Sequence, residues 1–199
     1  ASSLNSEKGE LLKLSSAPSA YTKKTKWVKG DTIFQPELAA TLRRIQQNGL
    51  AGFYEGITAE LIVKEMANGS GIISTTDLKN YQTKKRVPIE FDYKNHHIIS
   101  FAPPSSGGIL IAQMMKMIAP FDIAAMGYQS PAAVGLMVES QRRAYADRAE
   151  HMGDPDFWKV PTRTLISDAY AKQRMKDYVP GIAGNSKNTN AGQAKESEQ

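Results

Sequence analysis

A single stretch with the period of a β-hairpin lies in the middle of an otherwise helical sequence. Between residues 87 and 101, apolar and polar side chains alternate on both sides of a Lys94-Asn95 turn. This alternation predicts two strands, Val87–Tyr93 and His96–Phe101. A two-stranded sheet is only marginally stable in water, and no other segment has a convincing strand pattern. The sheet partners of the hairpin must therefore come from elsewhere in the chain or from another chain, which indicates an incomplete domain.

Helical periodicity flanks the hairpin on both sides. Pro36 suits the first position of a helix, and Asn48-Gly49 suits its end. Ser74 and Asp77 have the spacing of a capping box, and Ser130-Pro131 is a favourable start for a long helix. Together with the hairpin, these patterns predict an α+β, helix-rich fold. The predicted helices cover residues 36–48, 57–67, 109–118, 131–152 and 167–178.

The apolar side chains of each helix predict its interior face. In the first two helices they recur at spacings of three and four residues, whereas Arg43 and Arg44 point away. In the long helix, alanine and glycine accompany them and permit close packing. The side chains predicted to face the interior are Leu38, Leu42, Ile45, Leu61, Ile62, Met66, Val134, Leu136, Met137, Val138, Tyr145, Tyr170, Met175 and Tyr178.

The composition supports a folded core and excludes several kinds of chemistry. Of the 199 residues, 41% are hydrophobic and 23% are charged, as in an average soluble protein. The absence of cysteine excludes disulfides, thiolate metal sites and thiol nucleophiles. The longest apolar stretch, Ile109–Ala119, is interrupted by Gln113 and Lys116, so we predict no membrane span.

Composition also divides the chain into three parts. We predict that residues 1–30 are a polar connector and that residues 31–179 form a single incomplete domain with the helices and the hairpin. Residues 180–199 are rich in Gly, Asn, Ser, Lys and Glu and contain almost no apolar side chain. A segment of this kind has little apolar surface to bury, so we predict a mobile tail.

The formal charge of +5 arises from two small basic clusters. The first surrounds Trp27 and consists of Lys23, Lys24, Lys26 and Lys29. The second comprises Lys84, Lys85 and Arg86. Basic side chains with an interleaved aromatic ring bind nucleic-acid backbones, but neither cluster extends into a stripe. We therefore favour solvated connectors and predict no nucleic-acid partner.

A Ser-Ser-Gly-Gly turn, Ser105–Gly108, joins the second strand to the next helix. Such a turn exposes backbone N–H groups, which form anion and oxyanion sites in many proteins, and either serine has the hydroxyl of a nucleophile. The lysine of a P-loop and the Gly-x-Ser-x-Gly spacing of a nucleophile elbow are both absent. We favour a structural turn in which Ser105 or Ser106 caps the helix.

The histidines and the acidic residues do not form a recognisable site. His96 and His97 are consecutive on a strand and face opposite sides, and His151 lies near a helix end without a second ligand, so no metal site is predicted. Four charged residues follow the long helix or close it, and we favour loop-tying contacts over acid–base catalysis for them. They are Asp147, Arg148, Asp154 and Asp156. From the residues alone, we assign no catalytic, cofactor-binding or metal-binding residue.

Four stretches in order nevertheless resemble the large subunit of γ-glutamyltransferases (γ-glutamyl transpeptidases). They are Pro36-Glu37-Leu38-Ala39 with Thr41-Leu42 and Phe53-Tyr54-Glu55-Gly56; Ile72-Ile73 through Asp77-Leu78 to Tyr81 with Val87-Pro88-Ile89; Pro103-Pro104-Ser105-Ser106-Gly107-Gly108; and Tyr145-Ala146-Asp147-Arg148 with Gly153-Asp154-Pro155-Asp156-Phe157. The match runs from residue 31 to about residue 180, and it departs at Ala102, where the family usually has a third proline. It covers roughly the C-terminal half of a large subunit.

The resemblance implies part of an N-terminal-nucleophile hydrolase with an αββα sandwich, to which this chain contributes several helices and one hairpin. In that family a precursor cleaves itself, and the new N-terminal threonine of the small subunit attacks the γ-glutamyl amide of glutathione or a related compound. The acyl group then passes to water, an amino acid or a peptide. The threonine's own α-amine serves as the base, so no histidine and no cofactor is needed. This chain alone is expected to be inactive.

The resemblance also assigns what lies at and beyond the ends of the match. Glu196-Ser197-Glu198-Gln199 resembles the end of the family's large subunit, which makes Gln199 the presumed processing boundary and the small subunit the implied partner. The family's Ser-Ser and Gly-Gly pocket pairs belong to the small subunit, and its carboxylate-binding arginine lies upstream of the match. We therefore transfer no substrate-binding role to Ser105–Gly108. Because bacterial members are typically exported, a periplasmic or secreted location is expected.

Two other functions remain open from the sequence. One is a non-catalytic helical interaction module with a weakly basic face, for which binding would depend on salt concentration. The other is a family member with different acyl chemistry, on poly-γ-glutamate or an acylated antibiotic. The resemblance places the residues that set substrate choice outside this chain, so the sequence does not decide between this chemistry and γ-glutamyl transfer.

Overall fold

A computed structural model describes residues 1–17, 19–22 and 25–196 of the chain. The chain forms two compact units, which we call unit 1 (Ala1–Lys84) and unit 2 (Lys85–Gln199). The sequence predicts one domain over residues 31–179, whereas the structure divides the chain after Lys84. The physical reason is local, because residues 81–88 form neither helix nor strand and are all exposed.

Unit 1 is built from helices. Residues 1–30 were expected to be a polar connector, yet they contain two short helices and the buried ring of Trp27. The Trp27 indole N–H donates to the Tyr21 carbonyl at 2.7 Å, and the Asn5 side chain forms two hydrogen bonds of 2.8 Å with the Trp27 backbone. The helices of unit 1 are α1 (Ser2–Ser6), α2 (Lys8–Leu14), α3 (Pro36–Asn48), α4 (Ala51–Tyr54), α5 (Gly56–Asn68) and α6 (Thr75–Asn80).

The sequence predicts the start and stop signals seen at α3 and α6, whereas α1, α2 and α4 were not predicted. Pro36 opens α3, and Gly49 ends it with a φ of 58°, a conformation that glycine adopts without strain. Before α6, the Ser74 hydroxyl accepts a hydrogen bond from the Asp77 N–H, and the Asp77 carboxylate accepts one from the Ser74 N–H. The predicted capping box is therefore confirmed.

Unit 2 contains the predicted hairpin and five helices in its described residues. The strands β1 (Ile89–Tyr93) and β2 (His96–Ser100) pair antiparallel, with Phe91 opposite Ile98. Ile89 and Phe91 on one face of β1 are buried, so the alternation predicted for β1 is confirmed. In the second strand the prediction is wrong, because Ile98 packs against the core whereas Ile99 and Phe101 are 65% and 80% exposed. The helices of unit 2 are α7 (Gly107–Ile118), α8 (Ile123–Met126), α9 (Pro131–His151), α10 (Thr162–Leu165) and α11 (Asp168–Arg174).

Helix α7 is the centre of unit 2. It contacts β1, β2, α9, α10 and α11, and its Ile109 side chain is fully buried. The core cluster comprises Ile89, Phe91, Ile109, Ala112, Leu165, Tyr170 and Ala194. Because Ala194 comes from the segment after α11, residues beyond 180 contribute to the core.

The predicted interior faces are only partly confirmed, because Leu136 of α9 is fully buried whereas Leu61 of α5 and several side chains of α3 and α9 are exposed. In α9, Val134, Met137, Val138 and Tyr145 are at least 40% exposed, and the buried side carries Glu139, Ser140, Arg143 and Asp147 beside Ala133, Leu136 and Ala144. In α3, Leu38 and Leu42 are 50% and 57% exposed. Arg44, expected to point away, is half-buried and donates from its Nε to the Thr58 hydroxyl at 2.9 Å. Apolar periodicity predicts a buried face only where an apolar partner lies opposite it.

The predicted mobile tail also packs against unit 2 over its described part. Residues 184–196 have almost no secondary structure, but their backbone forms hydrogen bonds with side chains of α9 and α11. Composition alone predicted mobility because it registers apolar burial and not backbone hydrogen bonding. Residues 197–199, which include the presumed boundary Gln199, lie outside the described residues.

Candidate functional site

The Ser105–Gly108 turn lies at the start of α7 and contacts α9. The Ser105 hydroxyl accepts a hydrogen bond from the Gly107 N–H at 3.4 Å. Ser106 does not cap α7 with its side chain and instead accepts from the Arg148 Nε at 3.1 Å. A Cβ at Gly108 would overlap the Phe101 carbonyl and the Ile89 side chain, so close packing explains this glycine. The contacts of the turn are structural, and they join the third and fourth motifs of the sequence.

The histidines lie apart from one another, as their strand and helix positions predict. His97 faces the exposed side of the hairpin, where its Nδ1 lies 2.8 Å from the Asp92 carboxylate and its Nε2 lies 3.4 Å from Glu90. The hydrogen bond with Asp92 raises the pKa of His97. The His151 ring contacts the backbone, and its Nε2 lies 2.7 Å from the Gly192 carbonyl oxygen. Within residues 1–17, 19–22 and 25–196, no three His, Asp or Glu residues are placed to hold a metal ion.

The charged residues at the end of α9 separate into three different contacts. Asp154 and Asp156 lie 3.9 Å and 2.8 Å from the Arg86 guanidinium, so they tie residue 86 to the loop after α9. Arg148 contacts Ser106, and Asp147 points into the interior. Asp154 and Asp156 therefore share the Arg86 guanidinium as their partner. The predicted loop-tying role fits these contacts better than a catalytic carboxylate pair does.

Asp147 is the centre of a buried polar cluster. Its side chain is fully buried and accepts hydrogen bonds from the Gln113 amide at 3.0 Å and from the Gly192 N–H at 2.8 Å. The Arg174 Nε lies 3.1 Å from the same carboxylate. Burial, together with the negative charge of Asp147, raises the pKa of the Tyr170 hydroxyl. Both Asp147 oxygens already accept hydrogen bonds or face a cation, so this carboxylate is not a free general base.

A second cluster surrounds the buried Arg143 side chain, one turn before Asp147 on α9, and joins the buried Glu139 to the exposed Asp177. The guanidinium donates to Glu139 at 2.7 Å, to Asp177 at 2.9 Å and to the Arg174 carbonyl at 2.7 Å. Burial opposes ionisation of Glu139, but hydrogen bonds from Arg143 and from the Gly184 N–H hold its pKa below the ordinary value. The hydrogen bond from Arg143 likewise lowers the pKa of Asp177.

Sequence reasoning identified Asp147 and missed Glu139, Arg143 and Gly192. Glu139, Arg143, Asp147 and His151 follow one another at intervals of four residues, which places them on one face of α9. This spacing is a visible signal, but charged residues on one helix face normally indicate a solvated surface. Here that face is covered by α11 and by residues 184–196, which the composition did not reveal.

Two members of the basic clusters have intramolecular contacts in the described residues. Lys23 and Lys24 lie outside the described residues. Trp27, the aromatic ring of the first cluster, is only 6% exposed and cannot stack on a base. Arg86 of the second cluster is paired with Asp156. Among residues 1–17, 19–22 and 25–196, no helix has the length and apolar character required to cross a bilayer.

Comparison with known proteins assigns the chain to a family. The family model described as gamma-glutamyltranspeptidase matches residues 1–199. The glutathione hydrolase proenzyme of Escherichia coli is 45% identical over 144 residues, which are 72% of this chain and 25% of that protein. The acylase ACY 1 proenzyme of Pseudomonas sp. strain V22 is 37% identical over 163 residues, which cover 78% of this chain and 29% of that protein. The chain therefore spans about a quarter of the length of these curated relatives.

The fold leads to the same family. The crystal structure of Helicobacter pylori gamma-glutamyltranspeptidase matches with a TM-score of 0.86 and 37% identity, over 100% of this chain and 58% of that chain. The expected helix-rich α+β part of an N-terminal-nucleophile hydrolase is thereby confirmed. The sequence resemblance is confirmed as well, and the chain belongs to the gamma-glutamyltranspeptidase family.

Proposed function

We propose that this chain is the large-subunit portion of a γ-glutamyltransferase that cleaves the γ-glutamyl amide of glutathione and related compounds. The acyl group passes to water, an amino acid or a peptide through a threonine ester. The observation that carries the proposal is the match of the family model over residues 1–199. The agreement with the H. pylori structure over the whole chain supports it.

The nucleophile of the proposed reaction belongs to the small subunit. The buried carboxylates of this chain support that assignment, because Asp147 and Glu139 are both held by hydrogen bonds inside unit 2. The hydroxyls of Ser105 and Ser106 accept hydrogen bonds from the Gly107 N–H and the Arg148 Nε, and neither contact involves a histidine. We propose that the nucleophilic threonine follows Gln199, on the likeness of Glu196-Ser197-Glu198-Gln199 to the end of the family's large subunit, and that the assembled enzyme is periplasmic or secreted.

Exposed apolar side chains support a partner for this chain. In unit 1, Leu38, Leu42 and Leu61 are 50%, 57% and 57% exposed. In unit 2, Ile99 and Phe101 of the hairpin are 65% and 80% exposed. Leu38 and Leu42 are four residues apart and share one face of α3, and large exposed apolar faces mark interaction sites. We propose that the remainder of the enzyme, including the small subunit, covers these side chains.

The experiment measures p-nitroaniline release from γ-glutamyl-p-nitroanilide. The full precursor is expected to mature and release p-nitroaniline, whereas the 199-residue chain alone is expected to show no turnover. A precursor with the threonine after Gln199 changed to alanine is the matched control and should remain uncleaved and inactive. Mass spectrometry of the mature small subunit identifies its first residue, and any residue other than that threonine contradicts the boundary.

A second substrate class is favoured by one observation. Two acylase ACY 1 proenzymes, of Pseudomonas sp. strains V22 and SE83, are 37% and 36% identical over 78% of this chain, the same share that the glutathione hydrolase proenzyme of Pseudomonas sp. strain A14 covers. An amidase that transfers a different acyl group is therefore the second candidate. Parallel assays with γ-glutamyl-p-nitroanilide and with an anilide of a non-glutamyl dicarboxylic acid separate the two, since each enzyme prefers its own acyl group in kcat/KM.

A further inference from the structure

Residues 184–196, which we call the strap, lie along α9 and are held mainly through their backbone. The Gly184 N–H donates to Glu139 at 2.8 Å, and the Gly192 N–H donates to Asp147 at 2.8 Å. The Asn190 carbonyl accepts from Arg174 at 2.9 Å, and the Gly192 carbonyl lies 2.7 Å from the His151 ring. In each of these contacts a side chain of α9 or α11 binds a backbone group of the strap. Bound peptides are held in this way, whereas segments of a protein core are held by packing of apolar side chains.

The far end of the strap is held through the Glu196 side chain as well as through its backbone. The Glu196 carboxylate accepts hydrogen bonds from the backbone N–H groups of Arg163 at 2.6 Å and Thr164 at 3.2 Å, at the start of α10. The Thr164 hydroxyl donates to the Lys195 carbonyl at 3.3 Å. Ala194 is the single apolar side chain of the strap in the core cluster. The strap therefore adds many polar contacts and little apolar area to unit 2.

The packing beneath the strap is loose except at two glycines, Gly184 and Gly192. A cleft of about 460 Å³ lies between α9 and Ser186, Thr189 and Asn190, and a second of about 220 Å³ borders Glu139. A Cβ at Gly192 would lie 2.5 Å from the Tyr170 hydroxyl and 2.7 Å from the Arg174 Cδ, and a Cβ at Gly184 would lie 2.7 Å from a Glu139 carboxylate oxygen. Real Cβ atoms do not approach so closely, so a larger residue at Gly192 would force the Tyr170 or Arg174 side chain to shift or the strap to leave the groove.

The chain that leads into the strap has the properties of a hinge. Residues 180–183 are exposed, and Gly181 has a φ of 80°, in the region that glycine adopts without strain. The large core side chains of unit 2 include Phe91, Ile109 and Leu165, which belong to other elements. The strap adds only Ala194 to this core. Segments with few buried apolar contacts and many solvent-accessible hydrogen bonds open locally before the core does.

We propose that the strap is an intramolecular ligand of α9, which docks and releases as a unit while the rest of unit 2 remains folded. The face of α9 between Glu139 and Asp147 is then a peptide-binding groove, and its occupant is the strap of the same chain. Selectivity comes from two carboxylates that accept backbone N–H groups eight residues apart and from the absence of space for a Cβ at Gly192.

Amide hydrogen exchange on the assembled protein tests this release. Gly192→Ala alters the strap and leaves every α9 residue in place, so it avoids the destabilisation that a change at the buried Asp147 hub would cause. The amides of residues 184–196 should exchange about tenfold faster or more in this variant, while those of α7 change less than about twofold. Gln193→Ala is the matched control, because Gln193 is exposed and the strap should stay docked.

A peptide added in trans tests the groove itself. A fluorescein-labelled peptide of residues 183–196 should bind the Gly192→Ala protein, whose groove is vacant, and should not bind the Gln193→Ala protein. The same peptide with alanine at position 192 should bind neither. Loss of protection in the strap and α7 together, unchanged protection of the strap, or a released strap without peptide binding would each overturn the proposal. None of these outcomes depends on γ-glutamyl transfer, so the proposed function is tested separately.

Discussion

The two units bury apolar side chains in opposite ways. In unit 2, α7 inserts Ile109 and Ala112 among residues of the hairpin, α10 and α11, and these side chains are almost fully buried. In unit 1, α3 has a clear amphipathic pattern and buries none of its 13 residues. Helix α5 buries only Thr58 and Ala59. An apolar stripe therefore shows that a helix needs a partner, but it does not show that the partner belongs to the same stretch of chain.

We expect the difference to depend on how much of the family's length this chain contains. It covers 58% of the H. pylori chain, so apolar faces of unit 1 that the chain leaves open are available to the remainder of such a protein. Unit 2 closes a small core from its own elements. The comparison predicts that core substitutions in unit 2 act on the chain itself, whereas those in unit 1 act through assembly.

Ile109→Ala should have the largest effect on the chain. Ile109 is fully buried, so the loss of its side chain leaves a cavity and should lower the free energy of unfolding of unit 2 by about 2–5 kcal/mol. Leu42→Ala, at a 57% exposed position of α3, should change that of unit 1 by less than about 0.5 kcal/mol. The chain has two tryptophans, so Trp158 reports urea unfolding of unit 2 and Trp27 that of unit 1.

Single-tryptophan backgrounds keep the two transitions apart. Trp27→Phe leaves only the unit 2 signal for Ile109→Ala, and Trp158→Phe leaves only the unit 1 signal for Leu42→Ala. A loss of similar size in both units would contradict the comparison. Leu42→Ala should lower the free energy of unfolding more in the assembled enzyme than in the chain alone, because the side chain is then expected to be covered.

Two glycines of unit 2 should respond to alanine with opposite signs. A Cβ at Gly108 would overlap the Phe101 carbonyl and lie 3.2 Å from the Ile89 side chain, so Gly108→Ala should lower the free energy of unfolding by about 1–3 kcal/mol. Gly135 lies inside α9, and a Cβ there would meet no atom within 4 Å, so Gly135→Ala should raise the free energy of unfolding by about 0.5–1 kcal/mol. Urea unfolding followed by Trp158 measures both, and equal signs would contradict the packing described for α7.

Local signals in the sequence were sufficient to predict where most elements begin and end. Pro36, Gly49 and the Ser74 capping box act through hydrogen bonds and backbone angles within a few residues, which a sequence states directly. The alternation at Ile89 and Phe91 predicted the hairpin for the same reason. The four motifs then identified the family, although none of them contains a complete catalytic site.

Long-range partners were the part that the sequence could not supply. Glu139, Arg143 and Asp147 are charged, and only the positions of Arg174, Asp177 and Gly192 in space turn them into buried residues. The four-residue spacing on α9 indicated one face but not what covers it. The strap was missed for a related reason, because composition does not record hydrogen bonds between backbone groups and buried carboxylates.

The smallest effects should come from two exposed hydrogen-bonded groups, one in each unit, and they depend on pH in opposite directions. In unit 1, hydrogen bonds from Ser74 hold the pKa of Asp77 below 3.8. In unit 2, the hydrogen bond with Asp92 raises the pKa of His97 above 6.5. The contribution of Asp77 to the free energy of unfolding is present above pH 3.8 and is lost as the pH falls through the lowered pKa. The contribution of His97 is present below pH 6.5 and is lost as the pH rises through the raised pKa.

Differences between each variant and its parent isolate these contributions from other titrating groups. Asp77→Asn should destabilise unit 1 near neutral pH and approach the parent in acid, as followed by Trp27 fluorescence. His97→Gln should destabilise unit 2 in mild acid and approach the parent in base, as followed by Trp158. NMR titration of the His97 ring supplies the control, since Asp92→Asn should bring its pKa back toward the ordinary value. Because the two groups titrate on opposite sides of the range from pH 3.8 to pH 6.5, a shared direction of change would mean that the hydrogen bonds of the hairpin or of the capping box are not those described.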